Sequence, residues 1–366
     1  MIGSASVWEF IWGRPDKPTG GDLVSRTIAL VLALVLASIG FTLSTAKADM
    51  KDLEAKAAAE KEITWYVSYP SAEDAEITAR LFMQRYPAIK VNVVRTTAQV
   101  IYQRLQQDLK NGMRNCDVFE STDVGHLVDL KKRKLIDKYT PAASKDLYPD
   151  FRDLDPDGYF HIIGSSMMTL MYNTKLVKAE DAPKSWKDLV DPKWKGKVST
   201  GSPAYSGFLG VWVVYMHQLY GWEYLDKLKA NNPLIGRSSI DPTTHLNSGE
   251  RQVAGGPAAT IEKLKSKGAP LEIVYPTDGS LLMYGMAGVL ANAPHPNAAR
   301  LWMEFRIGKE SNQLQIDSGG ESLRRDGVIP AGRTEFRSVK YYRPKVDELL
   351  KGVPEAIERW RDTFGG

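Results

Sequence analysis

The sequence predicts an α/β fold with a mostly parallel sheet, because strand patterns and helix patterns alternate along the chain. The first strand pattern is "EITWYVSYP" at 62–70, where β-branched and aromatic residues dominate. A helix pattern follows at 71–87, where Ser71 and Asp74 form a capping box and apolar residues recur at helical spacing before Pro87. This order of strand and helix is the first half of a βαβ unit.

The alternation continues through the rest of the chain. "KVNVVR" at 90–95 predicts a second strand, "AQVIYQRLQQDLKNG" at 98–112 a second helix, and "CDVFES" at 116–121 a third strand. Further patterns predict extended segments at 161–173, 197–202 and within 270–291, and helices at 206–220, 295–316 and 355–364.

The segment "APKSWKDLVDPKWKGKV" at 182–198 predicts a local structural anchor. Ser185 can cap a short helix in which Asp188 supplies the second half of a capping box. On this interpretation Trp186 and Trp194 are buried in the core, and the alternative is that they stack on a ligand.

Composition indicates a soluble globular protein, and the length of the chain is sufficient for two domains. The 366 residues are 43% hydrophobic and 25% charged, and the formal net charge of +4 is spread over the chain. Nothing in this charge pattern suggests a nucleic-acid partner, which would require a concentrated basic face. Cys116 is the single cysteine, so the chain contains no internal disulfide.

The amino-terminal region predicts a cleaved signal peptide at 1–48. An uncharged apolar run at 27–43 follows Arg26, and the sequence Ala46-Lys47-Ala48 fits a signal-peptidase site. An uncleaved membrane anchor is the alternative, although the run is short for a bilayer span. No cysteine follows the cleavage site, which argues against a lipid anchor there. We therefore expect a protein of the Gram-negative periplasm.

Four segments resemble, in the same order, the extracellular solute-binding proteins of ABC importers. The segment 173–198 resembles the part that follows the first crossover in that family, and 116–136 is similar to its strand–loop–helix. The segment 275–305 resembles the returning crossover, and 318–330 the late segment that often carries an arginine. Within that family the chain most resembles the ferric-iron, thiamine and phosphonate-type binders.

The resemblance implies a two-lobe periplasmic binding protein fold, type II-like, with a hinge of crossing strands and a ligand cleft between the lobes. Residues 61–163 and 276–330 would form lobe 1, and residues 172–272 lobe 2. The carboxy-terminal helical segment at 337–366 would pack on lobe 2. The implied partners are a small-molecule solute and an ABC permease in the inner membrane, and the family's members are usually monomers.

The sequence contains no recognisable catalytic motif. The five histidines are far apart, and there is no H-E-x-x-H, G-x-S-x-G or Walker A sequence. We therefore predict no enzyme activity, no catalytic residue, no cofactor and no metal ligand. An exported hydrolase on a related α/β scaffold, with a site assembled from distant residues, is the alternative class.

Loops at the carboxyl ends of the predicted strands are the candidate binding elements, because ligands of α/β lobes lie beyond these ends. The helix N-termini that follow such loops favour anionic ligands. The predicted ligand-binding residues are Tyr69, Ser121, Thr122, Ser202, Tyr205, Ser206, Gly256, Tyr275 and Asp278.

Several of these residues have a plainer interpretation. Ser206 is as well suited to capping a helix, and Asp278 to stabilising its turn. Glu73 and Asp74 beside the first loop count against a purely anionic ligand. Arg324 or its neighbour could reach a carboxylate or phosphonate, or be solvated.

The sequence argues against direct binding of ferric iron. Iron-binding relatives commonly carry adjacent tyrosines in the second lobe, whereas this chain has Gly-Gly-Pro-Ala-Ala at 255–259. Its adjacent pair, Tyr341-Tyr342, lies near the carboxy terminus. The predicted function is capture of a small polar, anionic organic solute by lobe closure. A ferric-iron or iron-chelate binder is the alternative.

Overall fold

The computed structural model describes residues 49–152 and 154–365, so the predicted signal peptide at 1–48 lies outside the described residues. Leu53–Gly366 forms one compact unit. Within the described ranges, no helix is both long and apolar enough to span a bilayer.

Ten strands in the described part of the chain form one mixed sheet, in the order β2-β1-β3-β9-β4-β7-β5-β6, with β8 paired to β4 and β10 to β9. Strands β1, β2 and β3 are parallel, as are β5, β6 and β7. The central pairs β3–β9, β9–β4 and β4–β7 are antiparallel. The strands are β1 Glu62–Val67, β2 Lys90–Arg95, β3 Val118–Ser121, β4 His161–Asn173, β5 Val198–Gly201, β6 Leu234–Gly236, β7 Val253–Pro257, β8 Leu271–Val274, β9 Ser280–Val289 and β10 Tyr341–Tyr342.

Helices cover both groups of parallel strands. The predicted start of α2 is confirmed, since the backbone N–H of Asp74 donates to Ser71 Oγ at 3.1 Å. The helices are α1 49–60, α2 Ala72–Arg85, α3 Ala98–Lys110, α4 Val124–Lys132, α5 Gly207–Tyr220, α6 Glu223–Ala230, α7 Asp241–Asn247, α8 Ala258–Ser266, α9 Pro296–Ile307, α10 Lys309–Asp317 and α11 Val346–Phe364.

The prediction of one helix over 295–316 was wrong. Gly308 has extended backbone angles, φ −67° and ψ 166°, and separates α9 from α10. Glycine is a poor helix former, and apolar periodicity continues on both sides of it. The segment therefore forms two successive helices.

The last helix is longer than predicted, because it begins at Val346 and passes through Pro354. Proline in a helix interior removes a backbone hydrogen bond, so the sequence favours a start after it. The longer helix is stabilised by packing against α5, where a Cβ placed on Gly210 would meet Val353 and one on Gly352 would meet Val214.

The tryptophan segment is an anchor in the core, as predicted. Trp186 and Trp194 are buried, at 0% and 4% exposure, and a 3₁₀ helix runs over Trp186–Val190. The backbone N–H of Trp186 donates to Asp278 Oδ2, and its indole N–H donates to Gly279 O, each at 2.8 Å. The segment is therefore tied to the turn that leads into β9.

Candidate ligand-binding site

A cavity of about 290 Å³ lies where segments from both groups of parallel strands meet. Its lining comes from the stretches 69–78, 239–267 and 306–320, together with Ser166 of β4 and Phe208 of α5. This volume is at the lower end of the range for small-molecule sites. The N-terminal ends of α2 and α8 both contribute to its wall.

The ring of Tyr69 lies over the two long central strands. A Cβ placed on Gly164 of β4 would lie 2.2 Å from Cε1 of this ring, and one on Gly285 of β9 would lie 2.4 Å from its Cγ. Phe208 meets the same ring edge-on, with 5.9 Å between ring centroids. Burial raises the pKa of Tyr69 well above its usual value, so its hydroxyl is neutral.

Arg306 of α9 lines the cavity and forms a buried ion pair with Glu120 of β3. Arg306 Nη1 donates to Glu120 Oε2 at 3.2 Å, and Trp65 Nε1 donates to the same oxygen at 3.0 Å. The guanidinium carbon lies 4.8 Å from the ring centroid of Trp65. Burial raises the pKa of Glu120 to about 7 and lowers the pKa of Arg306.

The ion pair between Arg306 and Glu120 is incompletely satisfied. Within the described residues, Arg306 Nε is buried and has no hydrogen-bond partner. Buried polar atoms nearly always have partners, so a buried guanidinium with a vacant donor beside a cavity is unusual.

A second ion pair joins two helices that line the cavity. Lys263 Nζ of α8 lies 2.8 Å from Glu73 Oε2 and 2.8 Å from Asp74 Oδ1 at the start of α2. Ser318 Oγ, after α10, donates to Asp74 Oδ1 at 3.3 Å. Burial opposes the charge of Lys263, but its hydrogen bonds to Asp74 and Glu73 raise its pKa overall.

Of the predicted ligand-binding residues, Tyr69 lines this cavity, and Gly256 immediately precedes Pro257, which also lines it. Thr122 lines a separate, much smaller cavity. In the described part of the chain, the large cavity brings together Tyr69 and residues that were not predicted. Except for Tyr69, the predicted set lies outside its lining, and the ligand roles of Ser121, Thr122, Ser202, Tyr205, Ser206, Gly256, Tyr275 and Asp278 stay predictions.

The structure gives several of these side chains other contacts. Ser121 Oγ lies 2.8 Å from His126 Nδ1, and both side chains are buried. Ser202 Oγ accepts from the backbone N–H of Ala204, and the Tyr205 ring lies 4.6 Å below the guanidinium of Arg237.

The remaining predicted residues lie near turns. Asp278 accepts from the backbone N–H of Trp186 and from the hydroxyl of Tyr220. Ser206 is the residue before α5, and Tyr275 is half-buried after β8. Arg324 is buried and pairs with two aspartates, so it is not solvated.

Sequence reasoning missed Arg306 and Lys263 because neither lies at the carboxyl end of a strand. Arg306 had a local signal, since it lies one helical turn after Trp302 and between Phe305 and Ile307. A charge on an otherwise apolar helix face is rarely buried without a partner. Lys263 is one of several lysines on α8, so the sequence contains no sign that distinguishes it.

The described residues contain no cluster of three or more His, Cys, Asp or Glu side chains able to hold a metal ion. Tyr341 and Tyr342 form the short strand β10 beside β9, and the ring of Tyr342 stacks on Tyr215 with 4.5 Å between centroids.

The family model for "Bacterial extracellular solute-binding protein" matches residues 115–320, more than half of the chain. The chain belongs to this family. An uncharacterized protein of Haemophilus influenzae is 26% identical over 265 residues, which cover 69% of this chain and 75% of that protein. A putative 2-aminoethylphosphonate-binding periplasmic protein of Salmonella typhimurium is 25% identical over 223 residues, which cover 56% of this chain and 65% of that protein.

Solved structures show the same fold. The periplasmic binding protein AfuA from Actinobacillus pleuropneumoniae, with fructose-6-phosphate bound, has a TM-score of 0.75 at 22% identity and covers 82% of this chain and 98% of AfuA. Iron-bound HitA from Pseudomonas aeruginosa has a TM-score of 0.71 at 21% identity, covering 83% and 99%. The predicted two-lobe periplasmic binding protein fold and the family of ABC importer solute-binding proteins are confirmed.

Proposed function

We propose that this solute-binding protein works in the periplasm, where it captures a small anionic organic solute in the 290 Å³ cavity and delivers it to an ABC permease of the inner membrane. The observation that carries the proposal is the composition of the cavity wall, which combines residues from both groups of parallel strands. A site built in this way forms and opens as the two groups move together or apart. The periplasmic location is supported by the names of relatives such as the Salmonella typhimurium protein.

We assign the lobes as the sequence suggests, with 61–163 and 276–330 in lobe 1 and 172–272 in lobe 2. Strands β1 to β3 then belong to lobe 1 and β5 to β7 to lobe 2, with β4 and β9 crossing between them. The segment 337–366 belongs with lobe 2, since α11 packs on α5. Ligand binding shifts an existing equilibrium between open and closed states of these lobes.

The electrostatics of the cavity favour an anion. Its described lining contains three basic side chains, Arg306, Lys263 and Lys267, against two acidic ones. Both acidic side chains, Glu73 and Asp74, are engaged by Lys263. The N-termini of α2 and α8, which both contribute to the lining, add partial positive charge. We propose a ligand that carries a phosphate, phosphonate or carboxylate group.

A binding role without turnover is supported by the positions of two described Ser–His pairs, Ser121–His126 and Ser199–His245. None of these four residues is among those that line the cavity. A hydrolase would need such a pair to reach the bound substrate.

Native mass spectrometry of freshly purified protein tests the proposal, because a tight ligand would co-purify as one molecule per chain. A thermal-shift screen with phosphorylated, phosphonate and carboxylate compounds follows, and a ligand at about 100 times its Kd adds roughly 2.7 kcal/mol. Bound compound should be recovered unchanged. Stabilisation by ferric iron alone, or saturable formation of product, would overturn the proposed ligand class or the binding role.

A further inference from the structure

We propose that Arg306 binds the anionic group of the ligand directly, as the charged anchor on the floor of the cavity, an inference that rests on the proposed function. Arg306 is 5% exposed, yet it belongs to the cavity lining. Its Nη1 donates to Glu120, and its Nε is shielded from solvent and has no hydrogen-bond partner within the described residues. The remaining donor of the planar fork, Nη2, is therefore the one available to a ligand in the cavity.

The guanidinium is held in place before any ligand arrives. It lies 4.8 Å from the ring centroid of Trp65 and 5.7 Å from that of Trp302, and Glu120 fixes its other edge. Preorganised donors bind more tightly because little conformational entropy is lost when the ligand binds. Arginine suits this role, since its planar fork matches two oxygens of a carboxylate or phosphate.

Glu120 balances the charge of Arg306 in the empty protein and lies behind it, since Glu120 itself is fully buried and is absent from the described cavity lining. A purely structural ion pair would be expected to satisfy both partners, whereas Arg306 Nε has no hydrogen-bond partner among the described residues. An incoming anion supplies a further acceptor for the guanidinium of Arg306.

Neighbouring polar groups complete a site for an oxyanion. The hydroxyl of Tyr69 is neutral, and the Tyr69 ring rests on β4 and β9. Ser311 of α10 and Ser166 of β4 are buried hydroxyls in the same lining. These groups donate to oxygens that Arg306 does not reach, and they make the anionic group the deepest part of the ligand.

The test compares Glu120→Gln with the double variant Glu120→Gln/Arg306→Met. The single change Arg306→Met would leave Glu120 charged and unpaired in the core, and the chain could fail to fold for that reason alone. Glu120→Gln keeps an amide oxygen that can accept from Arg306, and in the double variant both side chains are neutral. The two variants therefore have the same neutral residue at position 120 and differ only at Arg306. Folding of each protein is checked by circular dichroism and by its melting temperature.

Binding is measured by calorimetry with inorganic phosphate, methylphosphonate, glycerol 3-phosphate and succinate, and with glycerol as the neutral control. We expect Glu120→Gln to retain binding of the preferred anion, because Arg306 keeps its charge and its donors. We expect the double variant to bind the anion about 10- to 100-fold more weakly than Glu120→Gln, which is the usual effect of losing a charged hydrogen-bond donor. Binding of glycerol should not differ between the two variants.

The outcomes separate the two proposals. If the wild type binds an anion and the folded double variant binds it equally well, the role of Arg306 is refuted while the proposed function stands. If the wild type binds none of these anions, both the proposed ligand class and the proposed role of Arg306 are refuted.

Discussion

Gly164 of β4 lies directly opposite Gly285 of β9 in the sheet, at the point where the ring of Tyr69 covers both strands. A β-bulge adjoins this pair between Ile162 and Gly164. Two glycines in register provide a flat surface on which an aromatic ring can lie against the backbone. The contact joins the loop after β1 to the two strands that connect the proposed lobes.

Gly285→Ala should therefore lower stability, because its Cβ would lie 2.4 Å from Cγ of Tyr69, the least mobile part of that ring. Overpacking of this kind costs about 1–3 kcal/mol. Urea unfolding of the variant measures the loss. In a Tyr69→Ala background the same substitution should cost much less, and an equal cost in both backgrounds would show that the ring is not responsible.

Asp278→Asn should lower stability by about 1–3 kcal/mol, since the carboxylate accepts from the backbone of Trp186 and the hydroxyl of Tyr220. Because Asp278 is not among the described residues that line the large cavity, ligand affinity should stay unchanged. Thermal unfolding and calorimetry on the same preparation decide between this outcome and the predicted ligand role. Asp226→Asn, in an exposed pair with Arg359, is the control and should change stability by less than about 0.5 kcal/mol.

The elements that the sequence predicts well are those whose cause is local. Ser71 caps α2 within three residues, and the long apolar run of β4 is buried along its whole length. The burial of Trp186 and Trp194 follows from their size and from the short capped helix between two prolines. In each case the residues that determine the structure are close together in the sequence.

The site could not be read in the same way, because its residues meet only after folding. Arg306 and Glu120 are 186 positions apart, and Lys263 is 189 positions from Asp74. The principle that ligands lie beyond strand ends predicted Tyr69, but it gives no reason to select residues on α9 or α8. The register of β4 against β9 places two glycines opposite each other beneath the ring of Tyr69. The periodicity of the sequence does not predict this register.

Glu321→Gln should remove part of the pH dependence of stability. Burial raises the pKa of Glu321 to about 7 from its ordinary value of 4.5, so the folded state binds this proton more tightly than the unfolded state does. The resulting stabilisation is complete below about pH 4.5 and is lost as pH rises through about 7. The variant, which carries no titrating group there, should gain up to about 3 kcal/mol relative to the wild type across this window.

Comparison with the wild type is necessary because other buried groups titrate nearby. Burial lowers the pKa values of His126 and His161, whose contributions fall as pH decreases below about 6.5 and so oppose that of Glu321. Both proteins share these histidines, so the difference in urea-unfolding free energy isolates Glu321. A difference that is constant from pH 4.5 to pH 7 would contradict the raised pKa.

Lys263→Met should weaken ligand binding, because Lys263 connects α8 to Glu73 and Asp74 of α2 across the cavity. Partly exposed ion pairs are worth about 0.2–1 kcal/mol each, so the loss of affinity should be about fivefold and should shrink at high salt. Lys265→Met is the matched control, since Lys265 is on the same helix but pairs with Glu272 of the adjacent β8. It should leave affinity unchanged.

Glu73→Gln separates two roles that Lys263 can have. If Lys263 stabilises the closed state by pairing across the cavity, removing the Glu73 carboxylate removes one of its two partners and weakens binding of the solute. If Lys263 instead acts on the ligand's anionic group, the same change frees the ammonium from a competitor and strengthens binding. We expect weaker binding, because both acidic partners lie 2.8 Å from Nζ and the floor of the cavity already has its own cation in Arg306. Tighter anion binding by Glu73→Gln, measured by calorimetry at low salt, would assign Lys263 to the ligand.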